Sequence, residues 1–211
     1  MALRASSQRW LTQKRHKPRL SSGIREMDGL LGGGWPLGTV GELVGPCSSG
    51  KTTVAVATVA QATGRGELCL WVDVSGELDA ASLAAWQVPL EAILVVRVAE
   101  AEQAMRAVEL VLPSGGFTVA VVDLGRQKRS TKAHLPLRLA RAVERAGGLG
   151  LVLTESPWMG TWAGVQVVFS QAQARFCKGE GSPLWFAGWQ LEVRLRRGGV
   201  PERGLAWAMG A

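Results

Sequence analysis

Gly45-Pro46-Cys47-Ser48-Ser49-Gly50-Lys51-Thr52 fits the pattern G-x-x-x-x-G-K-[ST] without a gap. Upstream, Thr39-Val40-Gly41-Glu42-Leu43-Val44 reads as a short strand. Downstream, residues 51–63 are rich in Ala, Val and Thr and contain no Gly or Pro, as a helix requires. Strand, glycine-rich loop and helix are the context in which this pattern cradles phosphate. The two glycines let the backbone turn tightly, so that successive N–H groups face one anion. The helix N-terminus adds partial positive charge. Lys51 then reaches the β/γ-phosphates, the Thr52 hydroxyl is a ligand for Mg²⁺, and Thr53 continues the loop into the helix. ATP and Mg²⁺ are the expected cofactors.

Working outward, strands and helices alternate. Leu68-Cys69-Leu70-Trp71-Val72-Asp73 and Thr118-Val119-Ala120-Val121-Val122-Asp123 are near-continuous apolar runs that end in a carboxylate. Such runs are parallel strands buried on both faces. The second has the form of a Walker B strand, so Asp123 is expected to hold Mg²⁺ together with Thr52. Residues 93–98 and 149–154 read as two more strands. Helices are expected over 79–86, capped by Asp79, over 100–112, and over 135–146 with Arg138, Arg141 and Arg145 outward. Ahead of the motif, a short helix capped by Ser21 or Ser22 buries Ile24, Met27, Leu30 and Leu31 and stops at Gly32-Gly33-Gly34. Residues 165–169 and 189–195 read as antiparallel strands, with an apolar loop, 158–162, before them. The expected class is α/β, with a mostly parallel sheet flanked by helices and antiparallel strands at its C-terminal edge. The expected domains are a basic N-terminal arm (1–20), a core (21–196) and a C-terminal tail (197–211).

The chain has 211 residues, 47% of them hydrophobic, enough for one core. No apolar run approaches the ~18 residues of a membrane span. Three scattered cysteines, Cys47, Cys69 and Cys177, point to reduced thiols and a cytoplasmic location. The net charge of +7 is unevenly placed. Residues 1–25 carry Arg4, Arg9, Lys14, Arg15, Lys17, Arg19 and Arg25 and no acid. Residues 125–150 carry Arg126, Lys128, Arg129, Lys132, Arg138, Arg141 and Arg145 against Glu144 alone. Both segments suit a nucleic-acid backbone, single-stranded DNA included, or an acidic protein surface. Trp158 and Trp162, with these arginines, are the expected partner anchors.

Leu20-Ser-Ser-Gly, Met27-Asp28, Leu31-Gly-Gly-Gly34-Trp-Pro36-Leu-Gly38 and the 45–53 loop together resemble the RecA family of P-loop ATPases over about residues 20–155. The resemblance implies a RecA-like core in which Asp79 contacts adenine. It also implies that a RecA-type polymerisation segment and C-terminal domain are lacking. Where the family has its water-activating Glu, this chain has Ser75, in Asp73-Val-Ser75-Gly-Glu77-Leu-Asp79. Cys47 replaces a family glutamate, and Glu155 falls about where the family senses the γ-phosphate with Gln. A short, basic RecA-like chain with an altered hydrolysis site is similar to the ImuA family of bacterial mutagenesis cassettes. That similarity implies translesion synthesis in the DNA-damage response, with an ImuB-like polymerase-like protein and RecA as partners and little or no ATPase activity. Two alternatives stand beside it. One is a DNA-stimulated ATPase with Glu77 as the catalytic base, and the other is a division inhibitor similar to the SulA family.

Overall fold

The computed structural model describes residues 17–126, 134–170, 172–177, 185–198 and 204–209. The elements in chain order are β1 (Arg19–Leu20), α1 (Arg25–Leu31), β2 (Trp35–Pro36), β3 (Thr39–Val44), α2 (Lys51–Thr63), β4 (Leu68–Asp73), α3 (Ala80–Ala85), β5 (Ile93–Arg97) and α4 (Ala101–Val111). They continue with β6 (Phe117–Asp123), α5 (His134–Ala146), β7 (Leu149–Thr154), β8 (Val165–Phe169), β9 (Gln173–Cys177), β10 (Trp185–Arg197) and β11 (Gly204–Met209). The main sheet runs β11-β10-β8-β3-β7-β6-β4-β5, with β9 paired to β10. The six strands from β8 to β5 are parallel, and β10 joins β8 antiparallel. This is the expected α/β architecture.

Both faces of the parallel sheet are covered, which explains its unbroken apolar strands. On one face Cys69, Trp71, Val119, Val121, Leu151 and Leu153 pack under α1, α2 and α3. On the other, Leu70, Val72, Ala120, Val122 and Val152 pack under α4 and α5. Alternate residues of one strand thus serve two cores. Between the α4 and α5 surfaces, Arg138 donates from both Nε and Nη2 to Glu109, a bidentate clamp.

Four expectations change. No serine caps α1 through its side chain. Its N-cap is Ile24, while the Asp28 carboxylate turns back to accept from the Ser22 N–H at 2.7 Å and from the Ser21 hydroxyl. The helix does end at Gly32, at φ +74°, as the glycine triplet requires. The expected C-terminal tail contains a strand, because β11 (Gly204–Met209) pairs antiparallel with β10, while residues 199–203 and 210–211 lie outside the described residues. β8 is antiparallel only to β10 and runs parallel to β3. The arm does not extend to residue 20, because Leu20 is buried and paired with Trp35. Among the described residues, no helix is long and apolar enough to cross a membrane.

Candidate functional site

The phosphate-loop pattern becomes a loop between β3 and α2, at the carboxyl ends of the parallel strands, where α/β sheets place their ligands. It is anchored to the neighbouring strand by the Gly45 N–H, which donates to Thr154 O at 3.0 Å. The two signature glycines have separate reasons. At Gly45 a Cβ would lie 2.8 Å from the Phe169 Cβ. Gly50 is the α2 N-cap at φ +89°, and a Cβ there would lie 2.6 Å from Leu191. Gly45 leaves no room for a side chain, and at Gly50 the left-handed backbone disfavours one more than the yielding Leu191 methyl does.

Lys51 Nζ donates to the loop's own carbonyls, Gly45 O at 2.5 Å and Pro46 O at 2.7 Å. Burial lowers the Lys51 pKa, against the pull of Cys47, Asp123, Glu155 and Glu77. Two cavities flank the loop. The first, about 270 Å³, is lined by Cys47, Ser48, Lys51, Thr52, Glu77, Asp123, Gly125, Arg126 and Glu155. The second, about 340 Å³, is lined by Ser48 to Thr53 on one side and the apolar Ala172 and Leu191 on the other.

Asp123 and Asp73 stand opposite each other in the β4–β6 register, yet they do different work. Asp123 is 7% exposed, and its carboxylate accepts from the Gly125 N–H at 3.0 Å. Burial first, with Asp73 and Glu77 nearby, pushes its pKa up to about 6. Asp73 organises the β4–α3 loop. It accepts from the Ser75 hydroxyl at 2.9 Å, the Gly76 N–H at 2.7 Å and the Leu78 N–H at 3.3 Å, with Arg97 Nε 3.6 Å away. Ser75 is thereby turned onto Asp73, and a Cβ on Gly125 would lie 2.7 Å from the Ser75 Cβ. Glu77 does line the cleft with Asp123. Asp79 does not line either cavity. It caps α3, accepting from the Ser82 N–H at 3.0 Å.

The basic and aromatic expectations separate. Arg4, Arg9, Lys14, Arg15, Lys128, Arg129 and Lys132 lie outside the described residues. Arg19, expected on a nucleic-acid surface, is exposed but anchored through one nitrogen. Its Nη1 donates to Leu31 O at 2.9 Å and Gly34 O at 2.6 Å, sealing the end of α1. Lys17 Nζ reaches Gly38 O at 3.5 Å. Arg138 is committed to Glu109. Arg141 and Arg145 are exposed along a groove between α4 and α5. Trp158 is buried in the α4–α5 core, contrary to its expected exposure, while Trp162 stays 45% exposed. Arg126, expected on a nucleic-acid surface, lines the phosphate-loop cleft beside Cys47.

One residue that matters here escapes motif and periodicity alike. Glu42, fully buried on β3, accepts from the backbone N–H groups of Trp158 and Met159 and from Gln166 Nε2 at 2.7 Å. It holds the 156–164 loop over the sheet. The signal that could find it is a charged residue inside an otherwise apolar strand, Thr39-Val40-Gly41-Glu42-Leu43-Val44.

These residues fit a nucleotide. Gly45 is sterically closed to a side chain, Gly50 holds a left-handed backbone, and the buried Ser49 hydroxyl in the loop has no partner. Among the described residues no cluster of three or more His, Cys, Asp or Glu could hold a metal by itself.

Residues 9–128 match the RecA N-terminal domain family. Over 105 residues, 49% of the chain, the sequence is 41% identical to Protein RecA of Deinococcus radiodurans and 39% identical to Protein RecA of Brucella canis. The match spans 29% of the length of each of these relatives. A RadB recombinase crystal structure superposes with a TM-score of 0.67 at 18% identity, covering 89% of this chain and 93% of that one. At that identity the likeness speaks for the fold.

Proposed function

The chain belongs to the RecA family by its N-terminal domain, and from that premise we propose that it is a RecA-like accessory protein of mutagenic DNA repair that binds MgATP and turns it over slowly. One observation carries this reading. Lys51, Thr52 and Asp123 line one cleft, while Ser75, at the family's water-activating position, has its hydroxyl on Asp73. Bound MgATP would bring phosphates to the loop and a divalent cation to the Asp123 side. The chain's own part is to bind and orient them. Lys51 leaves the loop carbonyls for the phosphates, the α2 N-terminus faces them, and Ala172 and Leu191 offer an apolar wall to the base or ribose. A serine has no basicity with which to take a proton from water near neutral pH. Binding without efficient hydrolysis makes the nucleotide a structural or signalling ligand.

In this reading the protein works in translesion synthesis, as ImuA-family proteins do, through contacts with an ImuB-like polymerase-like protein and with RecA. Single-stranded DNA is a further, salt-sensitive partner. Exposed Trp162, Arg141 and Arg145 support a contact role, since Trp and Arg are common interface anchors.

Calorimetric titration with MgATP should show binding that Lys51→Ala abolishes. Single-turnover hydrolysis should stay slow with or without single-stranded DNA. The second reading, a DNA-stimulated ATPase, draws on Glu77, which does share the cleft with Asp123. Rapid DNA-dependent turnover that disappears in Glu77→Gln would establish it and defeat the first.

A further inference from the structure

Arg126 follows Gly125 at the end of β6, in the loop where Gly125 adopts φ +53°. That turn aims Arg126 across the mouth of the phosphate cleft. Its Nε lies 3.3 Å from Cys47 Sγ and 3.5 Å from Glu155 Oε1, and the Cys47 thiol donates to the same Glu155 oxygen at 3.2 Å. Three segments that are distant in sequence therefore meet: the phosphate loop, the end of β6 and the end of β7. The Arg126 and Glu155 side chains are 73% and 40% exposed, so the ion pair contributes little to stability. Fold stability is not what this cluster provides.

The cleft's charges show what it can provide. Glu77, Asp123 and Glu155 line it against Lys51 and Arg126. Lys51 starts at the Gly45–Pro46 end of the loop. Glu155, whose Oε1 lies beside Cys47 of the loop, would repel a terminal phosphate. Arg126 offsets that charge. With its Nε toward Glu155, a guanidinium still has four N–H donors in a planar fork suited to phosphate oxygens.

We propose that Arg126, positioned by Glu155, is the residue with which this chain distinguishes a nucleoside triphosphate from a diphosphate. The proposal rests on the nucleotide-binding reading and adds a specificity element to it. Arg126 would meet the terminal phosphate, leaving the inner phosphates to the loop and Lys51. Cys47 contributes a small, polarisable side chain that leaves room for the arginine over the loop.

The test is calorimetric titration of the full chain with MgATP and with MgADP, for the unaltered protein, Arg126→Ala, Arg126→Lys and Lys51→Ala. Thermal unfolding checks that each variant is folded. The unaltered chain should prefer MgATP by about tenfold or more, the range of a hydrogen bond to a charged group. Arg126→Ala should bring the two affinities within about twofold, mostly by weakening ATP, and Arg126→Lys should fall between, because it keeps the charge and loses the fork. An unchanged ATP-to-ADP ratio in Arg126→Ala overturns the proposal and leaves the nucleotide reading intact. A folded, unaltered chain that binds neither nucleotide overturns both.

Discussion

At the scale of single residues, Asp123 is where function and stability pull apart. A buried carboxylate facing Asp73 and Glu77 holds its proton up to about pH 6. The unfolded chain releases that proton near the ordinary aspartate value of about 4. The folded state therefore binds more protons between these limits, and stability falls as pH rises through that window. Above it the full cost applies, on the order of 2–3 kcal/mol. Asp123→Asn should remove this cost, raising the melting temperature at pH 7.5 by about 4 °C or more and flattening its fall between pH 4 and 6. The same substitution should weaken MgATP binding at least about tenfold, because a neutral amide is a poor ligand for a hard cation. Thermal melts across pH, paired with titration, check both halves. An unchanged pH profile would contradict the account of Asp123.

Among elements, the 156–164 loop depends on β3 through Glu42. Three donors converge on this one buried carboxylate. Glu42→Ala leaves the Trp158 and Met159 N–H groups without their acceptor and opens a void between strand and loop. The expected loss is about 3 kcal/mol, read by urea unfolding. Amide exchange at Trp158 and Met159 should accelerate beyond that of the sheet. Uniform acceleration across the sheet would show that Glu42 supports the core rather than the loop. Glu42 and Gln166 are visible in the chain as polar residues within apolar strands. Their partners are not, because more than a hundred residues separate Glu42 from the loop it holds. The α4–α5 clamp is a similar case. Helical spacing shows that Arg138 points outward, but only the packing of the two helices shows Glu109 opposite it. That hydrogen-bonded partner lowers the Glu109 pKa, so its contribution is present above the usual glutamate range and fades as pH falls.

For the molecule as a whole, charge placement sets what can be asked of nucleic acid. Arg19 and Lys17 bind backbone carbonyls near the glycine triplet, so residues 17–20 belong to the folded core. The arm to be tested is residues 1–16, with Arg4, Arg9, Lys14 and Arg15. Deleting these residues should weaken single-stranded DNA binding and lower its salt slope by up to about 3, at about 0.7 for each phosphate no longer neutralised. The melting temperature should hardly change. An unchanged slope would assign DNA binding to other basic residues, and a large drop in stability would show that the arm packs on the core.

The order of strands and helices through β7, the phosphate loop and the carboxylates at the ends of β4 and β6 follow from the linear chain. Each rests on local signals: unbroken apolar runs, paired glycines at a fixed spacing, and a lysine at a helix start. Periodicity reports which side of an element is apolar, and motif spacing reports a loop whose residues are neighbours. Tertiary structure alone decided which charges are free and which are committed. It turned Arg19 onto the end of α1 and Trp158 into the core, and it brought Arg126, Cys47 and Glu155 to one cleft. The physical reason is distance along the chain. A side chain's exposure and partner depend on segments that meet only when the sheet is assembled, and no spacing rule spans the interval between them.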